Sequence, residues 1–140
     1  FNASGCSSDG TLGEDHDPES HLIPNILLAI MGKKPELTVF GTDYPTKDGT
    51  NVRDYIHVED LADAHIAAAQ KLGTGPGQQK KILANLGTGN GFSVKEIIAA
   101  AEKVTGKKVP VKFGPRRAGD AIALYANPAY AKQVLGWEAK

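Results

Sequence analysis

The sequence predicts an α/β fold in which helices pack against a small sheet. Segments with apolar residues at helical spacing alternate with short runs of β-branched and aromatic residues, and glycine or proline separates them. A serine and a glutamate three positions later form a capping box before one helical segment. The 140 residues, 41% of them hydrophobic, are enough for one compact unit with an ordinary core.

The first half of the chain is predicted to contain a loop, two helices and two strands. Residues 1–20 are polar and rich in glycine and serine, which is typical of a loop. The apolar face of the first helix is Leu22, Ile23, Ile26, Leu27 and Ile30, before Gly32. Strands are predicted at 37–40 and 52–58, on either side of a turn-rich segment, 43–50. The apolar face of the second helix is Val58, Leu61, Ala62, His65, Ala69 and Leu72.

The second half is predicted to add two strands and two helices. In order, it contains a break at 73–79, a strand at 82–86, a helix from Val94, a strand at 109–113 and a short helix begun by Asn127 and Pro128. Ser93 and Glu96 form the capping box of the longer helix. Gly106 and Gly136 are placed to end the two helices.

Charge and cysteine content exclude several classes of partner. The 16 basic and 16 acidic residues cancel, so no net field would hold a nucleic acid or an anionic membrane surface. No apolar run of the sequence approaches the roughly 20 residues that a membrane-spanning helix needs. The single cysteine, Cys6, cannot form an internal disulfide. We therefore expect a cytoplasmic protein with neither a nucleic acid nor a membrane as partner.

The start of the chain predicts a fragment of a longer protein. It reads Phe1-Asn2-Ala3-Ser4-Gly5, without methionine and in a composition typical of a loop. Complete proteins rarely start in this way, and a processed mature terminus is the alternative.

A glycine-rich segment, residues 87–91, lies between a predicted strand and a predicted helix. Glycine loops in this setting can cradle phosphates. The dinucleotide fingerprint needs a third glycine at the position of Phe92, and residues 106–110, about 20 positions later, include no acidic residue for ribose recognition. The segment is therefore interpreted as a tight strand-to-helix turn.

Three charged residues on the loop after the last predicted strand could recognise a diphosphate. Guanidinium groups match phosphate oxygens in bidentate geometry, so Arg116 and Arg117 suit such a ligand. Asp120 could accept hydrogen bonds from vicinal sugar hydroxyls. Taken alone, an arginine pair is more often a solvated surface.

Arg53 strengthens the case for an anion site because it lies in a mostly apolar strand region. Val52 and Tyr55 flank it, and an unpaired charge would be costly there. The required anion is either a bound phosphate or an acidic side chain such as Asp54.

These segments resemble a known family along almost the whole chain. The segments that carry the resemblance are Phe1-Asn2-Ala3-Ser4-Gly5, Gly13-Glu14-Asp15-His16, His21-Leu22-Ile23-Pro24, residues 41–65, Asn85-Leu86-Gly87-Thr88-Gly89 and residues 115–120. Their order resembles that of the UDP-glucose 4-epimerases, which are extended short-chain dehydrogenases/reductases. The resemblance implies that residues 1–140 are the C-terminal UDP-sugar-binding domain of a Rossmann-type enzyme whose N-terminal NAD-binding domain is absent.

The resemblance also implies an activity. The full-length enzyme, a homodimer, would interconvert UDP-glucose and UDP-galactose through a transient 4-keto intermediate with tightly bound NAD. Catalysis in this family needs a tyrosine with a lysine four residues later, whose ammonium lowers the pKa of the phenol. The four tyrosines are followed at that spacing by Asp48, Glu59, Ala129 and Val134. No catalytic residue is therefore predicted in this chain.

Site residues are carried over from the family by motif. Phe1 resembles the aromatic residue against the nicotinamide end of NAD, and Asn2 a contact to the substrate diphosphate or sugar. Contacts to the rest of the UDP-hexose are implied for His21, Leu22, Thr38, Val39, Phe40, Arg53, Arg117, Asp120 and Leu124. Among these, residues 38–40 would hold the uracil, the two arginines the diphosphate from opposite sides, and Asp120 the ribose. Leu124 lies where epimerases vary between tyrosine and small residues, a position associated with tolerance of N-acetylated sugars.

Two alternatives and the absence of a metal site complete the predictions. A dTDP-glucose 4,6-dehydratase or a UDP-glucuronate decarboxylase would share the fold and the arginines, although the long 43–50 loop favours the epimerase. A binding module without chemistry is the other alternative. The four histidines lack a matching cysteine or carboxylate spacing, so no metal site is predicted.

Overall fold

The computed structural model describes residues 1–73 and 75–140 and is an α/β chain with small sheets. The helices are α1 (Leu22–Ile30), α2 (Val58–Lys71), α3 (Val94–Thr105) and α4 (Ala129–Leu135). The strands are β1 (Asn2–Ser4), β2 (Leu37–Phe40), β3 (Val52–Arg53), β4 (Tyr55–His57), β5 (Phe92–Ser93), β6 (Val111–Gly114) and β7 (Ala123–Leu124). The predicted break at 73–79 includes Thr74, which lies outside the described residues.

The chain divides into two compact units, where its length predicts one. Unit 1 comprises residues 1–13, 54–90 and 125–140, and unit 2 comprises residues 14–53 and 91–124. Each unit has its own cluster of buried apolar side chains. The prediction of a single sheet is likewise wrong, because the described strands form three small sheets.

Unit 1 is built on a parallel pair of strands, β1 and β4. The buried side chains of its core are Ile56, Ala64, Ala131, Leu135 and Trp137. The prediction that residues 1–20 are all loop is wrong at Asn2–Ser4, which pairs with Tyr55–His57. Three small or polar residues carry no periodic signal, so only pairing with a segment more than 50 residues away makes them a strand.

The predicted strand at 82–86 is not a strand in the structure. Its alternating pattern is nevertheless reproduced in the burial of the side chains, because Ile82, Ala84 and Leu86 pack against the core of unit 1. A strand also needs a hydrogen-bonded neighbour, and none of the strand pairings among the described residues includes this segment.

Unit 2 contains two small sheets and the helices α1 and α3. In the first sheet β2 pairs with β6 in parallel, with Phe40 opposite Gly114. In the second, β3 lies between antiparallel β5 and parallel β7. The core joins the two helices to β2 through Ile26, Ala29, Leu37, Val39, Ile98 and Val109. The predicted strand at 109–113 is confirmed with shifted bounds, and the short β5 and β7 were not predicted.

The four predicted helices are confirmed, as are the capping box and the glycine cap of α3, whereas Pro128 begins α4 without a side-chain cap hydrogen bond. Ser93 and Glu96 form the capping box of α3, which ends at Gly106 with a left-handed φ of 67°. Gly136 ends α4 in the same conformation. The predicted apolar face of α2 is partly wrong, since Asp60 and Ala64 are its buried residues. Within the described ranges, no helix has both the length and the apolar character to span a bilayer.

Candidate functional site

The carboxyl ends of β2 and β6 form one edge of a parallel sheet in unit 2. Because the pair is parallel, Phe40 and Gly114 lie side by side at that edge. Ligands of α/β proteins bind outside the carboxyl ends of parallel strands. The loop that leaves β6 there contains Arg116 and Arg117, whose guanidinium groups suit a diphosphate.

Arg117, Phe40 and Asp120 meet at this edge. The guanidinium carbon of Arg117 lies 4.8 Å from the centroid of the Phe40 ring. Its Nε donates to Asp120 Oδ2 at 3.0 Å, and Nη2 donates to Oδ1 at 3.4 Å. The Arg117 side chain is 58% exposed. The structure thus joins three predicted site residues into a cation and a carboxylate beside an aromatic face.

The predicted uracil strand presents its residues unequally. Val39 is 2% exposed and belongs to the core, whereas Thr38 and Phe40 are exposed. The backbone N–H groups of Leu37 and Gly41 donate to the carbonyl oxygens of Pro110 and Gly114. Because backbone N–H groups alternate in direction along a strand, the N–H groups of Thr38 and Phe40 point away from β6. No described strand pairs with β2 on that second edge. Thr38 and Phe40 therefore have the backbone groups that a planar base could use.

Arg53 and Leu124 are cross-strand neighbours in the second sheet of unit 2. Arg53 Nη1 donates to the carbonyl oxygens of Val52 and Ala121, both at 2.8 Å. Among the described residues of unit 2, no carboxylate lies within ion-pair distance of Arg53. Leu124 is 50% exposed beside it. Arg53 thus retains capacity for an anion.

Asp54, the acidic side chain considered as a partner for Arg53, is committed within unit 1. Its Oδ1 accepts from the backbone N–H and hydroxyl of Thr88, at 3.0 and 2.7 Å. Its Oδ2 accepts from the N–H groups of Gly89 and Ala126, both at 3.1 Å. Burial would raise the pKa of Asp54, but these hydrogen bonds outweigh it and lower the pKa below its ordinary value. This carboxylate is a buried, fully bonded group.

The same contacts show that the 87–91 segment is a tight turn. Its Thr88 and Gly89 N–H groups donate to Asp54, so they are unavailable to a pyrophosphate. A Cβ at Gly87 would lie 2.5 Å from the Cβ of Ala126 and 2.7 Å from Asp54 Oδ2, which explains the glycine. The glycine segment of this chain therefore does not fit an NAD phosphate site.

Two further predicted residues, Phe1 and Asn2, lie in unit 1. Both are exposed, and the Asn2 backbone N–H donates to the carbonyl oxygen of Asp54 at 2.9 Å. Their contacts to NAD and substrate stay predictions.

His21 and Leu22 begin α1 and differ in environment. Leu22 packs against the core of unit 2, whereas the His21 side chain is 54% exposed. His21 Nδ1 lies 2.9 Å from Glu19 Oε1. Ligand atoms of Glu14, His16 and His21 lie within 4.8 Å of one another, a grouping that sequence spacing did not reveal. All three residues are exposed, and the Nδ1 of His21 already faces Glu19.

Sequence reasoning missed the partners of Arg116. This residue contacts Asp43 and the ring of Tyr44 on the 41–50 loop. It also missed Asp48, which accepts a hydrogen bond from the buried Ser93 hydroxyl. The acidic and aromatic residues of the loop were the available signal. Asp48 and Asp43, however, lie 45 and 73 positions from Ser93 and Arg116, so sequence spacing could not pair them.

Comparison with known proteins identifies the class to which this chain belongs. The profile of the NAD dependent epimerase/dehydratase family matches residues 7–84, more than half of the chain. The chain therefore belongs to this family.

Within the family, the chain is homologous to UDP-glucose 4-epimerases. It is 52% identical over 140 residues to the UDP-glucose 4-epimerase of Lactobacillus helveticus, covering 100% of this chain and 42% of that protein. The crystal structure of the Brucella ovis UDP-glucose 4-epimerase in complex with NAD matches with a TM-score of 0.91 and 51% identity, over 100% of this chain and 42% of that one. For the Bifidobacterium longum enzyme in complex with NAD⁺ and UDP, the TM-score is 0.92 and the identity 42%, over 100% and 41%. The chain thus spans about two fifths of the length of these relatives.

Proposed function

We propose that the complete protein is a UDP-glucose 4-epimerase and that this chain is its C-terminal UDP-sugar-binding part. In the proposal it interconverts UDP-glucose and UDP-galactose through a 4-keto intermediate with bound NAD, as a homodimer. The chain's own residues bind the nucleotide, while residues outside the chain hold most of the NAD and the catalytic tyrosine and lysine. The identity to UDP-glucose 4-epimerases supports the substrate class.

One observation carries the binding role: Arg117 lies over Phe40 and beside Asp120 at the carboxyl edge of β2 and β6. A guanidinium offers bidentate donors to a diphosphate, and an adjacent carboxylate accepts from vicinal ribose hydroxyls. The backbone groups of Thr38 and Phe40 that point away from β6 suit the edge of a uracil. Arg53, which has no carboxylate partner among the described residues of its unit, supplies a second cation.

In the proposal, this arrangement lets the enzyme hold a sugar that must expose both faces during the reaction. Binding free energy is gained at the uridine and the diphosphate, which are remote from C4 of the hexose. The hexose itself can then remain loosely held while its 4-keto form turns over. Leu124, next to Arg53 in the sheet, is proposed to line the hexose end.

The proposal is tested by measuring UDP affinity of the complete protein by calorimetry. Arg117→Ala should weaken binding by roughly 2 kcal/mol, the net worth of a charge-assisted hydrogen bond. Lys112→Ala is the matched control, since Lys112 on β6 is an exposed cation paired with Glu36 at 3.6 Å. Unchanged UDP affinity in Arg117→Ala would refute the binding role.

The reaction is tested by incubating the complete protein and NAD in separate assays with UDP-galactose, dTDP-glucose and UDP-glucuronate. Recovery of UDP-glucose supports the epimerase. A 4-keto-6-deoxy sugar would instead indicate a dehydratase, and release of carbon dioxide from UDP-glucuronate a decarboxylase. UDP binding without any turnover would leave only a binding module.

A further inference from the structure

The two neighbouring arginines on the loop after β6 are held in different ways. Arg117 forms an ion pair with Asp120 and lies over the ring of Phe40, and its side chain is 58% exposed. Arg116 reaches a different element, the 41–50 loop. The pair therefore does not act as one cationic patch.

Arg116 is fastened to two consecutive residues of the 41–50 loop. Its Nε donates to Asp43 Oδ1 at 2.7 Å, and its Nη2 donates to the Asp43 carbonyl oxygen. Its guanidinium carbon lies 4.3 Å from the centroid of the Tyr44 ring. The hydrogen bond and charge of Arg116 also hold the pKa of Asp43 below its ordinary value. We call this three-residue arrangement of Arg116, Asp43 and Tyr44 the arginine latch.

Close packing around the Tyr44 ring supports the latch. Tyr44 is 4% exposed. A Cβ at Gly41 would lie 2.5 Å from Tyr44 Cε2 and 2.8 Å from Arg116 Cγ, so glycine permits this approach. The Tyr44 hydroxyl has no hydrogen-bond partner among the described residues. The ring, and not the hydroxyl, is therefore the part of Tyr44 that the latch uses.

The 41–50 loop is itself a firm support. The Tyr44 N–H donates to the Gly49 carbonyl oxygen at 3.0 Å, and Thr46 Oγ1 donates to the Thr50 carbonyl oxygen at 2.6 Å. Asp48 accepts from both the N–H and the hydroxyl of Thr50. An attachment to this loop therefore restricts the movement of whatever it holds.

We infer that Arg116 is a positioning residue and not a phosphate ligand: the arginine latch fastens the 115–120 loop so that Arg117 is held over Phe40. Arg116 has Nε and Nη2 committed to Asp43, whereas Arg117 follows directly in sequence and points to Phe40 and Asp120. The inference rests on the proposed function, because it assigns Arg117 to the diphosphate.

Neutralising Asp43 distinguishes the two possible roles of Arg116, because the two roles predict opposite changes in UDP affinity. If Arg116 bound the diphosphate, Asp43 would compete for the guanidinium, and its removal would strengthen UDP binding. If Arg116 is a positioning residue, removal of Asp43 frees the loop and weakens UDP binding despite the loss of a negative charge.

The test measures dissociation constants of UDP and uridine for variants of the complete protein by calorimetry. Asp43→Asn and Tyr44→Leu should each weaken UDP binding by roughly three- to tenfold, since exposed ion pairs and cation–π contacts are individually modest. Uridine affinity should change less, because uridine lacks the phosphates that Arg117 binds. Tyr44→Phe keeps the ring and is the matched variant, expected to stay within about twofold of the wild type.

Arg117→Ala is measured in parallel and separates the two claims. If it leaves UDP affinity unchanged, the proposed function fails and the inference with it. If Arg117→Ala weakens binding but Asp43→Asn leaves it unchanged or strengthens it, only the inference fails. An equal loss of UDP and uridine affinity in Asp43→Asn would also overturn it, because general damage to the loop would then suffice.

Discussion

Unit 1 and unit 2 use aspartate carboxylates in opposite ways. Asp54 in unit 1 is completely buried. Its Oδ1 accepts hydrogen bonds from Thr88, and its Oδ2 accepts them from Gly89 and Ala126. Asp120 in unit 2 contacts Arg117, whose side chain is mostly exposed. One carboxylate is saturated by its own unit, while the other shares a cation that solvent and ligands can reach.

The difference teaches which charged residues of this chain maintain structure and which can bind a ligand. A buried carboxylate with satisfied acceptors is costly to disturb, because the donors would be left without partners. An exposed ion pair contributes only about 0 to 1 kcal/mol, so a diphosphate can replace or join it at little cost. Exposure and partner number therefore separate the two roles, although both residues are aspartates.

The largest effect is expected from Asp54→Asn. The asparagine amide keeps the shape of the side chain but has only one acceptor oxygen. Its NH₂ group must therefore face donors, either those of Thr88 or those of Gly89 and Ala126. We expect a loss of about 3 kcal/mol in the free energy of unfolding. Urea denaturation checks this, with Asp120→Asn as the partly exposed control. A loss below that of the control would contradict the structural role of Asp54.

The pH dependence of stability gives a second test of the same carboxylate. The folded pKa of Asp54 is lowered, so its contribution is present above the unfolded pKa, about 3.9. That contribution is lost as the pH falls through the folded pKa. The stability difference between the wild type and Asp54→Asn should therefore shrink when urea denaturation is moved from pH 7 to pH 3. A stability difference that is the same at pH 7 and pH 3 would show that the loss does not come from the charge of Asp54.

Gly87→Ala should produce the next largest loss. A methyl group there would lie 2.5 Å from the Ala126 Cβ and 2.7 Å from Asp54 Oδ2, so the buried network must shift. We expect about 2 kcal/mol of destabilisation, which is typical of overpacking. Gly13→Ala is the control in the same unit, because its nearest neighbour, Cys6 Cβ, would be at 3.9 Å. Equal thermal stability of the two variants would contradict the steric argument.

The comparison also shows what the sequence could predict. The helices were predictable because their signals are local: Ser93 and Glu96 are three positions apart, and Gly106 immediately follows α3. The Arg117 and Asp120 pair is also local, at a spacing of three. By contrast, Thr88 and Ala126 lie 34 and 72 positions from Asp54, and such pairings depend on tertiary structure.

Strands were predicted less well for the same reason. β1 is a strand through its pairing with β4, and β7 through its pairing with β3. Residues 82–86 carry the alternating pattern of a strand without the pairing. An alternating pattern alone therefore did not make a strand, because hydrogen-bonded neighbours decide which segments are strands.

Ser93→Ala should have a moderate effect in unit 2, because it removes one buried hydroxyl. Ser93 is 3% exposed, accepts from the Glu96 N–H at 3.1 Å and donates to Asp48. Loss of this cap should cost about 1 kcal/mol. Urea denaturation checks it, with Ser20→Ala as an exposed serine control in the same unit. No difference between the two would show that the buried cap adds nothing to stability.

The smallest effect on stability is expected from Arg117→Ala, although this variant should have a large effect on UDP binding. The side chain is exposed and its ion pair with Asp120 is weak, so the free energy of unfolding should change by less than about 0.5 kcal/mol. Asp54→Asn should show the reverse pattern, with a larger effect on the free energy of unfolding than on UDP affinity. Measuring denaturation and UDP affinity on both variants tests the comparison directly. If Arg117→Ala destabilised the protein as much as Asp54→Asn, exposure would not separate binding from structural charges, because the arginine proposed to bind UDP would then also be required for folding.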